Sequence, residues 1–237
     1  MSQIARTGLL YQDPLDFLPR RRVQDFAKGR LIYGVEKPSS DLYAVILGRV
    51  KISTTADDGC QTVSRMVSAE GLFGEACLVG PTDRGESATA LDNVTLMSWS
   101  RGEIELQIER EPRLGIALSQ YMVRECLELQ DRIESMATHK MPERVMLTLL
   151  QLAADLGTPM PDGATRVAPL SHQTIAEFVG TSREIVTLQM NRLRRLGLCR
   201  YSRKFIDLYS PTLREHLKQH RVSIQMAQKR SGDRNET

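Results

Sequence analysis

The sequence predicts an α+β protein: an antiparallel β-domain of short strands, one long helix, and a compact helical unit that ends in a basic hairpin. Three observations carry this reading. Short apolar runs punctuated by glycine and proline fill residues 20 to about 108, the spacing of an all-β sandwich or barrel. From 112 to about 138 the period becomes helical, with no glycine or proline between Gly115 and Pro142. Two short helical stretches then flank Gly180, and an alternating segment follows them.

The β-domain draws its strands from runs such as Arg30–Tyr33, Leu42–Leu47, Val50–Ser53 and Val94–Trp99. Turn signals separate them at Lys28-Gly29, Asp57-Asp58-Gly59 and Gly80-Pro81. Leu47-Gly48-Arg49-Val50 is expected to close a tight hairpin.

In the long helix, Pro112 suits the first turn. Gly115, Ser119, Met122, Cys126, Leu129, Ile133 and Met136 recur in alternating steps of four and three. That is a heptad seam roughly 40 Å long. A second stripe of Leu114, Leu118 and Tyr121 is placed to pack on the β-domain. One stripe is satisfied within the chain. The other, with Met122, Cys126, Leu129, Ile133 and Met136, is best covered by the same helix of a second subunit; burial within its own chain is the alternative.

The helical unit opens with a helix over residues 143–156, built on Val145, Leu149, Leu152 and Ala153 and ending at Gly157. Residues 158–163 read as a loop and 166–170 as a short strand. Between Ser171 and Leu198 lies a helix-turn-helix pattern. Ala176 is small where a second helix would cross the first, and Gly180 tolerates the positive φ of the turn. Val186 faces inward with Ile175 and Val179, and Met190, Leu193 and Leu196 are expected to continue that stripe. Ser182 is a natural N-cap. It places Arg183, Glu184, Thr187 and Leu188 on the first two turns, the part of such a motif that enters the major groove. Arginine pairs with guanine, glutamate accepts from cytosine, and leucine offers apolar contact to a thymine methyl. Ser171, His172 and Gln173 open the first helix within reach of phosphate.

Gly197 ends the second helix, and residues 198–209 alternate like a hairpin wing with Arg200, Arg203 and Lys204 near the DNA backbone. From Arg183 to Lys204 stand seven basic residues and one acid, Glu184, on a chain whose net charge is only +3. A basic field confined to one segment points to a polyanion, here double-stranded DNA.

At these residues the sequence resembles the CRP/FNR superfamily of bacterial transcription regulators. Gly180-Thr181-Ser182-Arg183-Glu184-Ile185-Val186 resembles its G-x-S-R-E-T-V core, and Leu193–Leu198 its L-x-x-x-G-L ending. Gly48-Arg49-Val50-Lys51-Ile52 and Gly71-Leu72-Phe73-Gly74-Glu75 resemble its G-x-V-K-I and G-x-x-F-G-E stretches. The resemblance spans roughly residues 17 to 212. It implies a β-roll effector domain over 1–110 of the cyclic-nucleotide-binding-like jelly-roll form. A long dimerisation helix over 111–139 and a winged helix-turn-helix over 140–212 would follow; beyond them, the charge and amide content of 213–237 reads as a charged tail, helical at first and then disordered. The resemblance also implies a homodimer on a palindromic operator, RNA polymerase as a partner, and an effector acting through the β-roll.

Two departures bear on function. The family reads its operator with an arginine after the small residue of the recognition helix. Here Leu188 follows Thr187, which should shift preference at one guanine by about 1–3 kcal/mol. The second departure concerns the effector. Candidate pocket residues are Gly74, Glu75, Glu86, Ser87 and Ala88, with Leu129 and Gln130 from the helix. Glu86 stands where cyclic-nucleotide-binding members carry an arginine for the phosphate, and a carboxylate repels that anion. The helix also lacks a Thr or Ser near Leu129 and Gln130 to meet a purine. The expected effector is a non-nucleotide small molecule, or none; a cyclic-nucleotide module gating DNA binding is the alternative.

Composition narrows the remaining classes. Cys60, Cys77, Cys126 and Cys199 form no zinc spacing, so free thiols in a reducing cytoplasm are expected. An iron–sulfur cluster needs four cysteine ligands, and none precedes Cys60. The β-domain holds no histidine for haem. Cys77 is either a ligand or a buried thiol, and Cys126 either a seam residue or a redox switch. His216 and His220 have i, i+4 spacing but no evident third ligand. No cofactor, metal or enzymatic activity is expected, because no P-loop, nucleophile elbow or paired-carboxylate arrangement occurs. With no run of 18 apolar residues, no membrane span is expected, and Met1–Arg6 carries no secretion signal.

Overall fold

The computed structural model describes residues 11–36, 40–56, 59–80 and 85–219. The chain divides into two compact units, Met1–Glu134 and Ser135–Thr237.

The first unit contains β1 (Gln24–Phe26), β2 (Leu31–Tyr33), β3 (Asp41–Leu47), β4 (Val50–Thr55), β5 (Gln61–Val67), β6 (Leu72–Phe73), β7 (Glu86–Ala90) and β8 (Val94–Ser100). They form two four-stranded antiparallel sheets, β1-β8-β3-β6 and β2-β7-β4-β5. Period-two alternation sends Val45, Val50, Ile52, Val94 and Leu96 inward, where they pack with Phe73.

The expected hairpin at Gly48 is not one. Strands β3 and β4 belong to different sheets, so the turn carries the chain from one layer to the other. Gly48 sits at φ 87, and a Cβ there would lie 2.4 Å from the Asn93 carbonyl oxygen. Beside it Arg49 is buried and holds Asp92 through two bonds of 2.6 and 3.0 Å. A local pattern reports a tight turn but not which strands pair across it.

Helix α1 (Arg101–Arg110) departs from the expectation that this stretch belongs to the strands of the β-domain. It starts at a capping box, with the Ser100 N–H donating to Glu103 Oε2 at 2.9 Å. Just before it, Trp99 is buried and its indole N–H donates to the Pro19 carbonyl at 2.8 Å. Helix α2 (Arg113–Thr138) follows. Leu114, Leu118 and Tyr121 pack into a core with Leu42, Leu72 and Trp99, as their stripe predicts. The Tyr121 hydroxyl donates to the Leu72 carbonyl at 2.8 Å and accepts the Leu72 N–H at 3.0 Å.

The second unit comprises α3 (Met141–Leu156), β9 (Gly157–Pro159), β10 (Thr165–Val167), α4 (His172–Val179), α5 (Arg183–Arg195), β11 (Cys199–Tyr201) and β12 (Ile206–Leu208). Its sheet runs β11-β12-β10-β9. Thr158 and Pro159, expected in a loop, pair with Arg166 and Thr165 instead. Leu149, Ile175, Met190 and Leu208 form the centre of one core. Residues 210–219 are helical and bring Leu213 and Leu217 into that core. The segment expected to begin the tail therefore contributes apolar burial to the unit. The expected disorder beyond it, and His220, lie outside the described residues. Among the described residues no helix is long and apolar enough to cross a membrane.

Candidate functional site

Helices α4 and α5 meet at a turn that individual residues set. Ser171 caps α4 by accepting the Thr174 N–H at 3.0 Å, and Ser182 caps α5 by accepting the Ile185 N–H at 3.4 Å. Gly180 sits at φ 75, in the left-handed region, so the chain reverses after Val179 without a strained side chain. Its N–H and that of Thr181 both reach the Ala176 carbonyl, at 2.9 and 3.0 Å. The Arg144 guanidinium donates to the Val179 carbonyl. Ile175, Ala176, Val186 and Met190 are fully buried. Leu196 departs from the expected inner stripe: it is the C-cap and lies exposed, because the left-handed Gly197 redirects the chain and Leu198 turns inward instead.

Burying that side of α5 leaves Arg183, Glu184 and Leu188 in solvent, with Leu188 60% exposed. Its own backbone N–H, then the Ser182 hydroxyl, hold the Glu184 carboxyl below the usual range, so it stays a pure acceptor. Arg192 and Arg195 are exposed as well. Sequence reasoning missed them, although i, i+4, i+8, i+11 spacing from Glu184 puts them on the same face as Leu188.

Thr187 and His172 bond to each other rather than standing free. The Thr187 hydroxyl donates to the Arg183 carbonyl at 2.8 Å, and His172 Nδ1 lies 2.9 Å from the Thr187 hydroxyl oxygen. The contact occupies Nδ1, so a further bond from the ring falls to Nε2. To donate to a phosphate His172 needs its proton on Nε2, or a second proton on the ring. Burial, then the nearby Arg183 charge, lower its pKa and disfavour the second proton. Gln173 is exposed, with its amide donating to Glu177 at 3.1 Å.

Strands β11 and β12 make the wing, with Arg203 and Lys204 exposed at its tip. Arg200 is occupied: one amino group donates to Asp162 at 2.5 Å and to Asp207 at 3.0 Å. The fully buried Asp207 also takes Arg166 through bonds of 2.6 and 2.8 Å. Neither acid is singled out by the sequence.

On α2, Cys126, Leu129, Ile133 and Met136 are exposed within the chain, Ile133 at 66%. Met122 is half-buried against the β-domain core, so it leaves less surface on the seam than its spacing predicts. Ile116, Val123 and Leu127 add exposed apolar surface. The seven-residue step from Ile116 to Val123 was the available signal for it.

The β-domain pocket candidates make separate bonds, although Glu75 and Glu86 both act on the Tyr33 phenol. Gly74, at φ 81, starts a short 3-10 helix, a role in the fold itself. Glu75 takes Arg65 at 3.1 Å, and the same guanidinium bonds Glu125 of α2. Glu86 accepts from the Tyr33 hydroxyl at 2.6 Å. Burial, then the Glu86 charge, push that phenol upward, so it remains a donor. Ser87 lies 3.2 Å from the Ser53 hydroxyl, and Ala88 is fully buried in the inter-sheet core. Leu129 and Gln130 are exposed. Within this chain, Glu125 and Arg132 of α2 meet the β-domain here, the latter donating to the Ser64 and Val63 carbonyls.

Residues 23–111 match the family model of the cyclic nucleotide-binding domain, and residues 143–213 match the Crp-like helix-turn-helix domain. The fold resembles FixK2 from Bradyrhizobium japonicum with a TM-score of 0.73 at 21% identity, over 83% of this chain and 97% of that one. A CRP/FNR-family transcriptional regulator from Thermus thermophilus superposes with a TM-score of 0.68 at 28% identity, over 83% of this chain and 98% of that one. The global nitrogen regulator of Synechocystis sp. is 29% identical over 80% of this chain and 85% of its own. The CRP-like cAMP-activated global transcriptional regulator of Mycobacterium tuberculosis is 30% identical over 77% of this chain and 81% of its own. The chain belongs to the CRP/FNR family of transcription regulators. Like its relatives it is a DNA-binding regulator, with the family's β-roll and winged helix-turn-helix.

In this CRP/FNR protein the buried thiols of Cys77 and Cys199 are each pushed up to about 11, chiefly by burial, so they stay protonated near neutrality. Cys60 and Cys126 are exposed and outside any disulfide. Among the described residues no cluster of three His, Cys, Asp or Glu could hold a metal.

The His172 environment gives a direct test. Its ring should titrate below 6.5 in a proton NMR pH series. Arg183→Ala should raise that midpoint without restoring it fully, because burial is the larger cause. A midpoint unmoved by the substitution removes Arg183 from the His172 environment.

Proposed function

We propose that this regulator reads a two-fold DNA site as a homodimer, with Arg183 and Glu184 on base edges and Leu188 in apolar contact with a thymine methyl. Ser171, Gln173, Ser182, Arg203 and Lys204 position the phosphate backbone, and Thr187 fixes the first turn of α5. The carrying observation is an exposed Arg183–Glu184–Leu188 face on a helix whose opposite side is fully buried. Half-sites would lie about 34 Å apart, one DNA turn. The exposed stripe through Cys126, Leu129, Ile133 and Met136 supports pairing with a second copy. We place this activity in the cytoplasm, with RNA polymerase as a partner and no enzymatic step.

Arg183→Ala should cost about 1–3 kcal/mol on the preferred sequence and little on unrelated DNA. Arg203→Ala should weaken all sequences alike and make the salt slope shallower by about 1. Binding titrations against both duplexes separate the roles, and identical profiles for the two variants would remove the assignment. Leu129→Glu should yield monomers with little operator affinity by light scattering and gel shift; an intact dimer would misplace the seam.

The effector we propose for the β-roll is not cyclic AMP. Glu86 supplies a carboxylate where the family's phosphate-binding arginine stands, and Arg65 is held by Glu75 and Glu125. An entering phosphate would meet negative charge. A cyclic-nucleotide-gated regulator is the second reading, favoured by the match to the cyclic nucleotide-binding domain and by the cAMP-activated relative. Calorimetry with cyclic AMP and cyclic GMP should give no binding heat, and micromolar affinity would install the second reading instead.

A further inference from the structure

Beside the wing stands an acid, Asp162, that pairs with one of its arginines, Arg200. Asp162 sits in the tight turn between β9 and β10, where the Met160 N–H donates to the Ala164 carbonyl at 2.8 Å. One Asp162 oxygen accepts the Ala164 N–H at 3.2 Å, and the other accepts Arg200 at 2.5 Å. Backbone geometry thus pins one edge of the carboxylate and aims the other edge at the guanidinium. The second contact of Arg200 is of a different kind: Asp207 is fully buried and is also fixed by the two bonds from Arg166. Arg200 therefore has one buried anchor and one exchangeable surface partner, and its side chain is 51% exposed.

We propose that Asp162 is a positioning residue that occupies Arg200 in the free protein and yields it to a backbone phosphate on DNA binding, while Asp207 keeps the arginine in place. Both partners of the exchange are singly charged oxygen acceptors, so the guanidinium keeps its bonding and its charge, which neutralises a phosphate instead of Asp162. Asp162 then lowers affinity for every sequence by the same factor and leaves discrimination unchanged. It is an internal brake on non-specific binding, in the range expected of an exposed ion pair. The inference rests on the wing as a backbone-contacting element, and that reading fails separately if Arg203→Ala leaves the salt slope unchanged.

The test uses the full chain and fluorescence anisotropy with a preferred and an unrelated duplex over a salt series. Asp162→Asn should tighten both by about two- to five-fold, the value of a surface ion pair, with an unchanged slope. Arg200→Gln should weaken both and make the slope shallower by about 1. The double variant should match Arg200→Gln alone, because without the arginine there is nothing for Asp162 to hold. Arg200→Lys serves as the second variant if glutamine disturbs folding; it keeps the charge and should retain most of the slope. Three results overturn the proposal: no tightening in Asp162→Asn, no slope change in Arg200→Gln, or equal tightening by Asp162→Asn in both backgrounds. The last would mean general repulsion of DNA rather than competition for one arginine.

Discussion

A 26-residue helix can bury one face in its own β-roll, but not two. Helix α2 spends Leu114, Leu118 and Tyr121 on the β-roll core and leaves Leu129, Ile133 and Met136 in solvent. Leaving these three partly covered side chains unburied forgoes roughly half of the about 1.5–3 kcal/mol that full burial of each is worth. The uncovered stripe is therefore a large unmet demand on the chain, and pairing of two copies is the natural way to meet it. In that arrangement the two recognition helices are supplied by one symmetric unit.

The recognition helix works on the same economy of faces. Val186, Met190 and Leu193 are fixed by the core of the second unit, so the opposite side is rigidly presented. The caps at Ser171 and Ser182, with the left-handed Gly180 between them, fix where that presentation begins. Because Thr187 is tied to His172 and to the Arg183 carbonyl, the first turn is preorganised around Arg183 and Glu184. The side chains left to meet bases are few, and they differ in kind: a cation, an anion and a hydrocarbon.

Much of this was legible from residue order. Helix period, caps and turn glycines are local signals, and they placed α2, α4 and α5 within a residue or two. What failed was decided at long range. Gly48 reads as a hairpin because the sequence cannot say that β3 and β4 enter different sheets. Helix α1 was hidden because Gly102 and a single buried apolar residue, Ile104, give it almost no amphipathic pattern. In the basic segment, Arg200 looks as free as Arg203; only the fold brings in Asp162 from a separate loop and Asp207 from the neighbouring strand. The pocket candidates were named by family position, so their real partners, Tyr33, Arg65 and Glu125, could not be read from spacing.

The lone indole of the chain carries a last consequence. Trp99 is the single tryptophan, and it lies buried in the first unit with its N–H tied to Pro19. Its ultraviolet emission therefore senses melting or tightening around the β-roll. The protein contains a built-in optical reporter for one of its two halves.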